Sequence, residues 1–391
     1  MDNQLPKKSF VFWPVGTGDS TSVAIDDDVV FQVDLHHLES ANDDDDPHTP
    51  IVDVLVESLP QRDGIPYLAG FALTHPDTDH IKGFEDLNDR ALIGELWFTP
   101  RVFREYKKDL GDDATAFKEE AMRRTELMIK HEGNVDSGDR VRLIGYDELL
   151  HDPEFQGFPA AYLTVPGNWI TEIDRMDLGS VFEAFIHGPF KDDSAGDRNE
   201  TSLAMQVSLL SPSSASKALL FGDLSYPTIR KIFDTSKEAG NEVALEWNTF
   251  LGPHHCSKSV MYHRDEGDDE ETLKKDILAD LEQAQRTPGY IVVSSESIPA
   301  TNNPGDNPPH AKAKARYQEI VKNGFICTQE HGGEDDPSPV IFLHTDDGLV
   351  FLGPDSASTS QDEASSDLAA AVAAARGDDQ PPQDKVGFGK K

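Results

Sequence analysis

The chain has 391 residues, 72 of them acidic and 35 basic, for a formal net charge of -37 at pH 7. That balance weighs against a tight non-specific grip on nucleic acid, which needs clustered Lys and Arg to displace counterions, but leaves a nucleic-acid substrate open, because bound divalent cations would reverse the local field at a site. The two cysteines, Cys256 and Cys327, exclude a disulfide scaffold and a zinc-thiolate cluster, and a reducing cytoplasm is the expected compartment.

The N-terminus, Met1 to Lys8, lacks the apolar stretch of a signal peptide. No run reaches the roughly 18 to 20 apolar residues that span a bilayer, so a soluble protein is expected. Acidic blocks recur, as in Asp43 to Asp46, Asp268 to Glu271 and Glu334 to Asp336. Spread over a globular pattern they suggest a halophile, in whose salt-filled cytoplasm self-repulsion is screened; acidic disordered arms are the competing reading.

In chain order, residues 9–13 and 21–34 read as strands rich in Val, Phe and Ile, joined through the glycines of Val15-Gly16-Thr17-Gly18-Asp19-Ser20. Ile51, Val52, Leu55, Val56 and Leu59 have helical spacing, closed by Pro60. Leu68 to Thr74 predicts a buried strand and Leu96 to Phe98 another. Residues 101–131 are charged, helical in pattern and expected to cover one side of a site. Further strands are predicted at 181–187, 202–210, 217–222, 243–251 and 289–294, and helices at 226–234, 270–285 and 310–323. Asp346-Asp347-Gly348 between Val340–Leu343 and Leu349–Leu352 is a hairpin signal. From residue 355 the chain turns to Ser, Asp, Ala, Gly and Pro, which predicts a disordered tail at 355–391 beyond a domain at 1–354.

Chemistry concentrates at predicted strand ends, where functional loops sit. His75-Pro76-Asp77-Thr78-Asp79-His80 places two imidazoles and two carboxylates in six positions. Zinc and manganese accept both donor types, and a tight loop can aim such residues at two neighbouring ions. The bland reading is a polar loop with Asp79 capping the following helix, which suits one carboxylate better than four donors. Three islands add to it: Gly222-Asp223 after an apolar strand, His254-His255 after Phe250-Leu251-Gly252-Pro253, and His187 in Phe185 to Pro189. Alone, His187 reads as a satisfied core or surface histidine, and Asp223 as a turn residue.

These motifs resemble the metallo-β-lactamase superfamily in its HxDxDH variant. The order of the islands is similar to the hydrolase domain of ComEC-like DNA-uptake proteins and their stand-alone relatives. Val15 to Asp19 matches a VGQGD-type hairpin, Asn199 to Leu203 an N-x-x-S-L strand start, Gly222-Asp223 a GD, and His254 to Ser257 an HHGS. Val292 to Ser294 and Asn307 to His310 echo a later serine-ending strand and an Asn/His-Pro region. The resemblance spans residues 9 to 352 and implies a mixed α/β fold, an αββα sandwich of two mixed sheets with outer helices. It also implies two divalent metal ions (Zn or Mn): one on His75, Asp77 and His187, the other on Asp79, His80 and one of the histidine pair, His255 by preference. Asp223 would bridge, Asp19 would orient a histidine from beneath, and Asp79 and His254 would stand nearest the reacting atoms.

The chain departs from the pattern at Cys256, where Gly is expected, and at Leu35-His36-His37 after Asp34. His36 and His37 read as surface residues, with extra polar groups near the site as the alternative. Three functions follow from the resemblance. The first is a metal-dependent phosphodiesterase or nuclease acting on a small-molecule or nucleic-acid phosphoester. The others are a metallohydrolase of another ester, lactone or thioester, and a partner-dependent subunit of a defence-type system. These residues carry no channel segment, so DNA transport is not expected from the resemblance.

Overall fold

Alternate side chains of the strands enter different cores. In the strand Ser9–Phe12, Phe10 and Phe12 face one core and Val11 another. In Ala215–Leu220, Ala218 and Leu220 share the core of Phe10, while Leu219 points the opposite way. This period of two follows from the pleat. A computed structural model describes residues 4–43, 45–104, 110–191 and 199–354.

Among those residues, a ten-stranded mixed sheet runs in the order Gly348–Leu352, Val340–Thr345, Ser9–Phe12, Thr21–Asp26, Val29–Val33, Ile65–Ala72, Leu92–Phe98, Arg140–Ile144, Leu163–Thr164, with Gln61–Arg62 paired to Ile65–Ala72. A seven-stranded sheet runs Phe325–Cys327, Gln285–Val293, Trp247–Leu251, Ala215–Leu220, Ala204–Leu210, Phe182–Gly188, Trp169–Ile170. The two lie face to face over one core, to which the first gives Phe12, Phe31 and Trp97 and the second Ile186, Val207 and Val292. Behind the first sheet a second core takes Leu55 from helix Ile51–Ser58, Leu87 from Phe84–Arg90 and Phe117 from Asp112–Lys130. Behind the second sheet a third takes Ile232 from Tyr226–Glu238, Leu281 from Lys275–Ala284 and Tyr317 from Ala311–Ile320. Three cores between four layers make the mixed α/β, αββα sandwich that was expected.

Some elements differ from expectation. The predicted strand 21–34 is a hairpin, with Thr21 paired to Val33 and a turn at Asp27-Asp28, two residues poor at strand propagation. Helix Asp112–Lys130 backs the first sheet rather than covering a site. The strand Arg140–Ile144 carries no hydrophobic alternation on its inward face, because its inward-facing positions are charged. Arg142 donates to the fully buried Glu95 at 2.9 Å, and Arg140 pairs with Asp174, which also accepts from Tyr67 at 2.6 Å. Ion pairing hides this strand from hydrophobic periodicity. The predicted tail, 355–391, lies outside the described residues.

Candidate metal centre

Parallel pairing carries the donors to one rim. Val29–Val33 runs parallel to Ile65–Ala72, and Trp247–Leu251 parallel to both Ala215–Leu220 and Gln285–Val293. The loops after these strands hold Asp34, His75 to His80, Asp223, His254-His255 and Ser294. Gly222, at φ 53°, lets the Asp223 loop approach the other sheet; a Cβ there would meet Thr74 at 3.1 Å. The rims meet across the sandwich, with His75 Nε2 3.6 Å from Asp223 Oδ2.

Asp223 is the hub. Its Oδ1 lies 3.1 Å from His80 Nε2 and 3.7 Å from His255 Nε2, and its Oδ2 lies 3.6 Å from His75 Nε2 and 3.7 Å from His254 Nε2. One carboxylate thus faces two pairs of imidazoles, one pair with each oxygen. Asp79 Oδ2 stands 3.2 Å from His255 Nε2, and Asp77 Oδ2 3.8 Å from His75 Nε2.

The far sides of the rings are held by other groups. Asp34 Oδ2 lies 2.8 Å from His80 Nδ1 and also accepts from the Thr74 hydroxyl at 2.7 Å; its Oδ1 accepts from the Thr74 amide. His255 Nδ1 lies 3.1 Å from the Ser294 carbonyl and 3.4 Å from Asp19 Oδ1. Asp19 therefore stands on the Nδ1 side of the rings, and its amide donates to the Asp79 carbonyl at 2.9 Å. With each Nδ1–H donated outward, the Nε2 lone pairs face the hub.

The donor atoms fit a divalent cation. His75 Nε2, His80 Nε2 and Asp223 Oδ1 are buried and face only groups of the cluster itself, with no hydrogen-bond partner outside it, as few buried polar atoms do. Asp19, His80, Asp223 and His255 each offer a donor atom, all within 4.8 Å of one another, so the Asp19 carboxylate, though on the Nδ1 side of the rings, also lies within reach of the centre. Imidazole nitrogen with carboxylate oxygen is the donor set of zinc and manganese sites.

The electrostatics agree. Burial works against charge on His80 and His255, yet the carboxylates outweigh it: Asp223 and Asp34 raise the pKa of His80 well above its ordinary value, and Asp223, Asp19 and Asp79 bring His255 to about 10. Burial likewise opposes the charge of Asp223 and Asp79, but His80 and His255 hold both well below the usual carboxylate range. A cation binding there would compete with the proton that these carboxylates favour on each ring. His254 is different: burial lowers its pKa, and its side chain stays 32% exposed at the rim.

The structure thus brings together His75, Asp77, Asp79, His80, Asp223 and His255, with Asp19 behind them and His254 at the edge. His187 is a correction. Its Nε2 donates to the Ala244 carbonyl at 2.9 Å, its Nδ1 is 3.3 Å from the Ser236 hydroxyl, and Phe185 and Phe221 flank the ring. Ile186 points into the inter-sheet core, so strand parity turns His187 to the helix side. The surface reading of His36 is also corrected. The residue is 7% exposed, and its Nδ1 donates to the Val15 carbonyl at 2.9 Å. A Cβ on Gly18 would fall 2.1 Å from that nitrogen, so the VGTGD loop needs glycine there. His37 is half-buried, its Nε2 3.3 Å from Asn42 Nδ2. Asp34 and Ser294, to which the motifs assign no role, each directly follow an apolar strand and support the rings from behind.

No family model and no curated protein matches the chain. Among solved structures it is similar to the metallo-β-lactamase GOB-18 from Elizabethkingia meningoseptica, with 12% identity, 83% of this chain and 91% of that one covered, and a TM-score of 0.31. A new diphosphatase of the PhnP family is 10% identical over 83% of each chain, TM-score 0.31. The class B3 di-zinc metallo-β-lactamase LRA-12 from an Alaskan soil metagenome is 12% identical over 72% of this chain and 93% of its own, TM-score 0.29. These are remote likenesses of shape.

Proposed function

We propose that the chain is a metal-dependent hydrolase holding two divalent ions and cleaving phosphodiesters. The observation that carries this reading is Asp223, whose two oxygens address separate imidazole pairs, as a bridging carboxylate does. His75 and Asp77 would hold one ion, and Asp79, His80 and His255 the other. Two bound ions lower the pKa of a shared water and neutralise the oxyanions of an in-line displacement. The chain's own part is to fix that geometry: Asp34 and the Ser294 carbonyl orient His80 and His255, and Asp19 ties the VGTGD loop to the Asp79 backbone. His254, with its lowered pKa and partly open to solvent, can take or return a proton at Nε2. The kinship to ComEC-like hydrolases and a cytoplasmic location belong to the same proposal; the ordered motifs support the first and two unpaired cysteines the second.

The test is metal analysis of the native protein, followed by turnover of bis(p-nitrophenyl) phosphate and of carboxyl esters under added Mn²⁺ or Zn²⁺. Two ions per chain and turnover of the phosphodiester are expected. A folded protein that takes up no metal overturns the centre, and turnover of carboxyl esters alone overturns the substrate class. Asp223→Ala is expected to lower activity by at least about 10–100-fold with the fold intact, the usual cost of losing a group that organises a metal site.

A further inference from the structure

His254, His255 and Cys256 hold φ angles of 51°, 52° and 68°. None is glycine, and a side chain in this left-handed region is disfavoured because its Cβ crowds the following carbonyl oxygen. Three such residues in a row persist only where the surroundings over-determine them. Support from the turn's own side is long: His254 N–H donates to the Gly222 carbonyl at 3.2 Å, and Ser257 N–H to the Pro253 carbonyl at 3.4 Å.

The other side of the turn meets His310, in the loop before helix Ala311–Ile320. The His310 amide donates to the Cys256 carbonyl at 3.0 Å, and its Nδ1 accepts from the Lys258 amide at 3.3 Å. Cys256 Sγ lies 3.9 Å from the His310 carbonyl oxygen. The ring is fixed in turn, since Nε2–H donates to the Asp306 carbonyl at 3.1 Å, leaving Nδ1 the acceptor. Asn302 braces the same loop, donating to the Pro309 carbonyl at 2.9 Å and accepting from the Ala311 amide at 2.7 Å.

We propose that His310 is a positioning residue for the metal centre. Its backbone amide holds the Cys256 carbonyl, and its ring, fixed by Asp306, holds the Lys258 amide; the ring contact is the part a substitution removes, and together they hold the left-handed turn that aims His255 Nε2 at Asp79 and Asp223. His310 touches the backbone of the turn and takes no part in chemistry. The inference rests on reading the cluster as a metal centre. It has a distinctive consequence: glycine adopts positive φ without penalty, so Cys256→Gly should make the clamp less necessary.

The experiment compares wild type, His310→Ala, His310→Asn, Cys256→Gly and the double variant Cys256→Gly/His310→Ala. Zn²⁺ affinity is read by chelator competition, coordination by the visible spectrum of the Co²⁺-loaded protein, and stability in parallel. His310→Ala keeps the backbone bond to the Cys256 carbonyl but loses the ring's hold on Lys258, and is expected to weaken Zn²⁺ binding by about 10-fold, the lower end of the effect of losing a group bonded directly to a ligand, and to change the Co²⁺ spectrum. His310→Asn, whose Oδ1 can accept from the Lys258 amide, should recover most of the loss. In the Cys256→Gly background, His310→Ala should cost less. Unchanged affinity and spectrum in His310→Ala overturn the proposal even if its melting temperature falls, and so does an equal cost in both backgrounds. If His310→Ala does not fold, the double variant decides, because the proposal requires that it fold. A wild type that binds neither Zn²⁺ nor Co²⁺ sinks the metal-centre reading itself, and the inference with it.

Discussion

Asp34 and His187 show what a single strand-end or strand-interior residue can do. The Asp34 carboxylate fixes the His80 ring from behind and ties down Thr74, so it sets the direction of Nε2 without facing the hub. Asp34→Asn replaces a charged acceptor with a neutral amide. Metal affinity should fall by about 10–100-fold, measured by chelator competition; an unchanged affinity would show that backbone packing alone orients His80. His187 makes the opposite case. His187→Leu leaves the Ala244 carbonyl without its donor, which should cost about 1–3 kcal/mol of stability in denaturant titration. Metal content should stay at the wild-type value, and its loss would restore His187 to the ligand set.

At the scale of elements, the seam beside the centre is held by a clasp between loops of the two sheets. His48 Nδ1 lies 2.7 Å from Asp46 Oδ1, and its Nε2 2.8 Å from Glu296 Oε1. The Glu296 amide donates to the Thr17 hydroxyl at 3.2 Å. Both ring nitrogens face carboxylates, which only the imidazolium satisfies with two donors. The hydrogen bond to Glu296, aided by Asp46, raises the pKa of His48 against the effect of burial. A raised folded-state pKa gives stability that is full below the unfolded value of about 6.5 and is lost as pH rises through the folded value. The wild type should therefore lose stability across that window, and His48→Asn should flatten the loss. Parallel pH profiles for the two proteins would dismiss the clasp.

For the whole molecule, the charge of -37 is the dominant long-range term. At about 0.01 M salt the Debye length of about 30 Å lets like charges repel across the molecule, while at 1 M it shrinks to about 3 Å. The halophile proposal predicts a melting temperature that climbs steadily from low to molar KCl. A flat curve would refute it. Among the described residues no helix is long and apolar enough to cross a membrane.

The layers and most of the donors follow from local sequence. Alternating apolar strands and amphipathic helices are local patterns, and His75 to His80 are close because the chain makes them so. Gly222-Asp223 and His254-His255 were legible because each ends an apolar strand, and parallel strand ends share one rim. The directions of side chains come instead from how the two sheets assemble. Strand parity sent His187 to the helix layer, and burial of Arg142 against Glu95 hid a strand. His36 went inside because Gly18 leaves room for its ring, and His310 met the His254-His255 turn across 54 residues of sequence. Contacts of that separation depend on how sheets face each other, which no local window of sequence encodes.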